Sequence, residues 1–140
     1  MACIFCEIAA GRAPAHVVAE DERTMAFMDI APLTRGHVLV VPRAHSAALW
    51  EMSDDDGAAM MRTTLRVATA VNAAFRPEGL NVFHATGGVA GQTVFHVHLH
   101  VVPRWSNDGF RPPLIPQRRG DPDLAGTAAR IRAALVPLGE

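Results

Sequence analysis

The chain contains no lysine and no tyrosine, so all thirteen of its basic residues are arginines. Chemistry on a side-chain amine, such as a Schiff base, is thereby excluded. Cysteine is limited to Cys3 and Cys6, too few for a disulfide framework. No apolar run approaches the roughly 20 residues of a membrane-spanning helix, so no membrane partner is expected. The first residues, Met1-Ala2-Cys3-Ile4-Phe5-Cys6-Glu7, lack the charged and apolar regions of a signal peptide, which points to a cytoplasmic protein. A net charge of −1 gives no basic field, and no nucleic-acid partner is expected. Internal repeats, low-complexity blocks and linkers are likewise missing.

What remains is a globular composition: 140 residues, 49% apolar and 19% charged, long enough to bury a real core as a single domain spanning residues 1–140. A short helical turn is expected from Ile4 to Ala10, ended by Gly11 and Pro14. Val17–Glu20 and Thr24–Asp29 read as strands of a hairpin around Asp21-Glu22-Arg23, and His37–Pro42 as a central, continuously apolar strand. Ser53 suits the N-cap of a long helix, with Asp54, Asp55 and Asp56 at its positive end. Met61, Leu65, Ala68, Val71 and Phe75 form its expected core stripe, and Pro77 and Gly79 its end. Leu80–His84 reads as a further strand. Pro112, Pro113 and Pro116 favour extended chain, and Asp121-Pro122-Asp123 opens a terminal helix running to about Leu135. The expected architecture is α+β: about five mainly antiparallel strands, one long helix packed on the sheet, and a C-terminal helix. Lone edge strands and a small helical layer point to a homodimer.

The most informative stretch is Val94-Phe95-His96-Val97-His98-Leu99-His100-Val101-Val102. Read as a strand, it sends His96, His98 and His100 to one face, about 6.6 Å apart, and Val97, Leu99 and Val101 to the core. Strand packing needs no such row of imidazoles, whereas chemistry near neutral pH does. The loop before it, Thr86-Gly87-Gly88-Val89-Ala90-Gly91-Gln92-Thr93, is rich in glycine. Its amides can approach a phosphate closely and it runs directly into the first imidazole. Neutral imidazole is a competent nucleophile there, and its protonated form a ready acid. At the N-terminus, Cys3 and Cys6 make one Cys-x-x-Cys, a metal half-site or a redox pair.

The histidine row resembles the signature of the histidine triad (HIT) superfamily, in which histidines alternate with hydrophobic residues. Cys3-Ile4-Phe5-Cys6-Glu7-Ile8, Phe27-Met28-Asp29-Ile30, Gly36-His37-Val38-Leu39-Val40-Val41-Pro42 and Gly91-Gln92-Thr93-Val94 resemble its bacterial Hint-like branch. The likeness covers about residues 3–104 and leaves a less distinct C-terminal extension, 105–140. It implies a HIT-like fold and hydrolysis of purine nucleoside phosphoramidates, or related nucleotidyl substrates, through a covalent nucleotidyl-histidine.

By motif position, the resemblance makes His98 the nucleophile and has His100 attend the phosphate and leaving group. Thr93 also serves the leaving group, and His96 joins the catalytic set. An AMP-type purine nucleotide would be bound by Ile4, Phe5, Phe27, Asp29 and Ile30, with Gly91, Gln92, Thr93, His98 and His100 at the phosphate. Asp29 would accept the ribose hydroxyls. Relatives also carry structural zinc on positions matched here by Cys3, Cys6, His45 and His96, a sufficient tetrahedral set. The alternatives are a Fhit-like diadenosine polyphosphate hydrolase and a nucleotide-binding regulatory or interaction protein with little turnover. One departure stands out. Many relatives have asparagine before the glycine loop, where this chain has His84-Ala85-Thr86, and neither His84 nor His16 receives a role.

Overall fold

Burial on both faces explains why the middle of the sheet reads as unbroken apolar runs rather than as alternation. The computed structural model describes residues 3–110 and 120–136. Helix α1 (Ile4–Ala9) leads into strands β1 (Val17–Glu20) and β2 (Thr24–Met28). Their turn is tied by Asp21, whose carboxylate accepts the amides of Arg23 and Thr24 at 2.9 and 2.8 Å. Strand β3 (Val38–Pro42), the long helix α2 (Asp54–Phe75), β4 (Gly79–Phe83), β5 (Leu99–Arg104) and α3 (Leu124–Ala134) follow. The five strands form one sheet in the order β1-β2-β3-β5-β4, antiparallel throughout. The expected α+β architecture is therefore present, with Ser53 accepting the Asp56 amide as the α2 cap. Pro112, Pro113 and Pro116 lie outside the described residues. Among those described, no helix is long and apolar enough to cross a membrane.

Helices α2 and α3 cover one face of the sheet, burying Met28, Val38, Val40 and Val101 against Met60, Val67, Val71 and Ile131. On the other face Phe5 of α1 packs with Met25, Phe27, Leu39 and Val41. That second face carries the site.

Three sequence expectations are corrected. The core stripe of α2 is Met60, Thr63, Thr64, Val67, Ala70 and Val71, whereas Met61 and Leu65 are 50% and 61% exposed. Hydropathy misplaced the phase because two threonines belong to the core. Thr63 shares a 2.6 Å hydroxyl bond with Thr24, and Thr64 donates to the Met60 carbonyl at 2.8 Å, so both are buried with their polarity satisfied. The helix end differs as well: Arg76, at φ 49°, takes the left-handed cap, and Gly79 opens β4.

The histidine strand is also shorter than expected, beginning at Leu99 and not at Val94. The β3–β5 register pairs Val38 with Val101 and Val40 with Leu99, so its continuation would set Pro42 opposite Val97. Proline has no amide hydrogen to extend the ladder. The chain bends away instead, and the Val97 amide donates to the Ser46 carbonyl at 2.7 Å. The alternation of faces survives this break, since Val97, Leu99 and Val101 all join the α2-side core. Ahead of β3, Gly36 turns at φ 93°; a Cβ there would lie 3.1 Å from Pro103 Cγ and 3.3 Å from the Phe75 ring. Glycine thus lets His37 enter under that contact.

Candidate active site

A cavity of about 840 Å³ opens over the α1 face of the sheet. Ile4, Phe5, Phe27, Asp29, Ile30, Gly91, Thr93, His98 and His100 all line it, joined by His37 and His84. One end is apolar, built on the edge-to-face pair of Phe5 and Phe27, whose centroids are 5.3 Å apart. Phe5 also meets the His98 ring edge-on at 5.2 Å. Gly91 turns the loop at φ 103°, a conformation that side-chain-bearing residues rarely adopt, and so brings Thr93 to the cavity.

The protonation pattern of the imidazoles follows from their main-chain partners. A carbonyl can only accept, so the 2.7 Å contact between His98 Nδ1 and the His96 carbonyl puts the proton on Nδ1. The lone pair of neutral His98 is then on Nε2. His37 receives the Leu33 amide on Nδ1 at 3.0 Å, which leaves its proton on Nε2. That proton is donated to His100 Nδ1 at 2.9 Å, and neutral His100 consequently carries its own hydrogen on Nε2. The His98 and His100 rings lie 4.8 Å apart, closer than their expected strand spacing, and His100 stacks flat on Phe83 at 4.3 Å. The site therefore sets a nucleophilic nitrogen beside a hydrogen-bond donor.

Asp29 Oδ2 stands 3.6 Å from His37 Nε2, and Asp29 Oδ1 accepts the Ala31 amide at 2.9 Å. The ligand atoms of Asp29, His37 and His100 are close enough to one another to surround an ion. His37 argues against it, because the atom that would ligate is the one that holds the proton.

His96 turns its ring away from the cavity. Its Nε2–H donates to the Pro42 carbonyl at 2.7 Å, so the Nδ1 lone pair is directed at Cys3 and Cys6. Cys3 Sγ and Cys6 Sγ lie 3.4 and 3.5 Å from that nitrogen, and His45 Nδ1 is 3.2 Å from it and 3.4 Å from Cys6 Sγ. The edges of a tetrahedral zinc site with two sulfur and two nitrogen ligands would be roughly 3.3–3.7 Å. The donor set fits such an ion. Burial lowers the pKa of His96, favouring the neutral ring that ligation requires. Cys6 is pushed up, first by burial and then by the neighbouring Cys3 sulfur, a pressure that a dication would reverse.

Residues 10–107 match the family model of the HIT domain. The chain belongs to the HIT family. A Zn-bound histidine triad family protein from Mycobacterium smegmatis has the same fold, with 41% identity, a TM-score of 0.85, and 96% of this chain and 93% of that one covered. Protein hit of Bacillus subtilis is 42% identical over 109 residues, 77% of this chain and 75% of that protein. The adenosine 5'-monophosphoramidase hnt1 of Schizosaccharomyces pombe is 40% identical over 104 residues, 74% of this chain and 75% of that protein.

Within this HIT chain one predicted nucleotide contact has a different place. Gln92 is buried and absent from the cavity wall. Its Oε1 accepts the Gly87 amide at 2.7 Å, and its Nε2 donates to the carbonyls of Ala47 and Val94 at 2.8 and 3.2 Å. It braces the glycine loop from behind. His37 and His84 are the site residues that sequence reasoning left without roles; the only available signal was that each is a histidine at the end of an apolar run. Replacing Gln92 with leucine is expected to destabilise the fold by roughly 2–4 kcal/mol, because three main-chain groups lose their partner. Urea unfolding measures this, and a change below about 0.5 kcal/mol would show that the side chain is not a brace.

Proposed function

We propose that this HIT protein is a nucleotidyl hydrolase that cleaves purine nucleoside phosphoramidates, or related nucleotidyl substrates, through a covalent intermediate on His98. The carrying observation is the His98 Nδ1–H bond to the His96 carbonyl, which puts the lone pair on Nε2. In this mechanism Nε2 bonds to the α-phosphorus as the bond to the leaving nitrogen breaks. The leaving nitrogen takes up a proton from solvent, held by hydrogen bonds from His100 Nε2–H and the Thr93 hydroxyl, and departs as the free amine. Water then attacks phosphorus, its proton passes to solvent, the electron pair of the phosphorus–nitrogen bond returns to His98 Nε2, and the nucleoside monophosphate is released. The amides of Gly91 and Thr93 hold phosphoryl oxygens, Asp29 accepts the ribose hydroxyls, and the purine lies between Ile4, Phe5, Phe27 and Ile30. The phosphoramidase name of the fission-yeast relative supports this substrate class.

Purified protein is expected to release AMP faster from an adenosine phosphoramidate than from a diadenosine polyphosphate; the reverse order would assign a Fhit-like activity. His98→Ala is expected to abolish turnover while AMP binding, measured by calorimetry, changes little. Surviving turnover would remove His98 from the nucleophile's role.

A structural zinc ion is the second part of this proposal, held by Cys3, Cys6, His45 and His96. With no open position, it would tie α1 to the segment before β5 and fix the His96 tautomer. Metal analysis after purification without chelator should find near-stoichiometric zinc in the native chain and little in Cys6→Ser. A metal-free native protein would refute the site.

The third part is a homodimer across the β4 edge. Leu80 and Val82 are exposed on that edge strand, as are Met61 and Leu65 on α2. Asn81 and Phe83 line the cavity, so alternation sends Leu80 and Val82 to the α2 side of the sheet. Light scattering should give twice the chain mass for the native protein and a single-chain mass for Leu65→Arg; a native monomer would exclude the dimer.

A further inference from the structure

The β4–β5 ladder stops two residues short of the nucleophile. Its last pair is Phe83 with His100, so continuing the register would set Ala85 opposite His98. Neither residue is in a strand. A side chain spans this gap: His84, half-buried on the cavity wall, has Nδ1 3.1 Å from the main-chain carbonyl of His98 itself. The carbonyl can only accept, so the His84 proton is on Nδ1. The other nitrogen, Nε2, meets the Thr86 hydroxyl. That hydroxyl already accepts the Leu49 amide at 3.1 Å, leaving its hydrogen to donate to His84 Nε2. The sequence Leu49 N–H, Thr86 hydroxyl, His84 ring, His98 carbonyl thus runs in one donor direction, and it selects the tautomer that grips the nucleophile's backbone.

We propose that His84 is a positioning residue for His98, fixing the main chain of the nucleophile where the sheet no longer does. This rests on the assignment of His98 as nucleophile. His98 is then held twice, through its ring by the His96 carbonyl and through its own carbonyl by His84. Restricting its rotation at both ends keeps Nε2 aligned with the phosphorus, which matters to the chemical step and not to nucleotide affinity. Both polar side chains belong to His84-Ala85-Thr86, directly before the glycine loop. Histidine and threonine act there as one unit, since the threonine sets the histidine's proton.

The variants His84→Leu and His84→Asn separate this role from simple packing. Leucine fills the space and donates nothing, whereas the asparagine amide nitrogen falls near the position of Nδ1 and can still donate. On an adenosine phosphoramidate, His84→Leu is expected to lower kcat by about tenfold, the rate equivalent of one ordinary hydrogen bond, with KM little changed. His84→Asn is expected to restore most of that loss. Equal kcat for native protein and His84→Leu, or equal losses in both variants, would overturn the proposal. If the native protein releases no AMP, the activity assignment fails, and hydrogen exchange then decides the positioning role. The amides of residues 97–100 should exchange faster in His84→Leu than in the native chain or His84→Asn. Identical protection in all three would overturn the proposal irrespective of activity.

Discussion

A main-chain carbonyl or amide holds one nitrogen of His37, His84, His96 and His98, and the proton positions of the site follow from those four bonds. An imidazole with one nitrogen committed to a carbonyl must present a lone pair at the other, and one committed to an amide must present a hydrogen. The backbone thereby distinguishes side chains that are chemically identical. His98 offers a lone pair towards the cavity and His96 offers one towards the cysteines. His37 offers a hydrogen, which it passes to His100.

This arrangement depends on a strand that stops early. Pro42 cannot extend the β3–β5 ladder, and the chain ahead of Leu99 bends out to bond with the segment carrying His45 and Ser46. A regular strand would have spaced the imidazoles evenly along one face. The bend turns His96 out of the row, into reach of Cys3, Cys6 and His45, and leaves His98 and His100 facing the cavity. Phe5 connects the two sites, packing edge-on against both the His96 and the His98 rings from between the two cysteines in sequence. Any change in how the N-terminal helix is held is therefore felt at the apolar end of the cavity.

The opposite face of the sheet follows the same economy of polar groups. Thr24, Thr63 and Thr64 are buried because each hydroxyl finds a partner, and that rotates α2 relative to its hydropathy pattern. The rotation leaves Met61 and Leu65 on the outside, and Leu80 and Val82 of the edge strand β4 are exposed as well.

Much of this was readable in the residues alone. The runs Thr24–Met28 and Val38–Pro42, the Ser53 cap with its three aspartates, and the alternation of Val97, Leu99 and Val101 with histidine each state a local preference that the fold honours. The histidine row carried the HIT resemblance, and the Cys-x-x-Cys suggested a metal half-site or a redox pair. Local pattern could not say which nitrogen of each ring carries the proton, because that depends on carbonyls distant in sequence, such as Pro42 for His96. Nor could it show that Gln92 faces away from the cavity, that threonines complete the core of α2, or that His84 reaches the backbone of His98. Periodicity records which side of an element is apolar, whereas the partner of a buried polar atom exists only once the elements have packed.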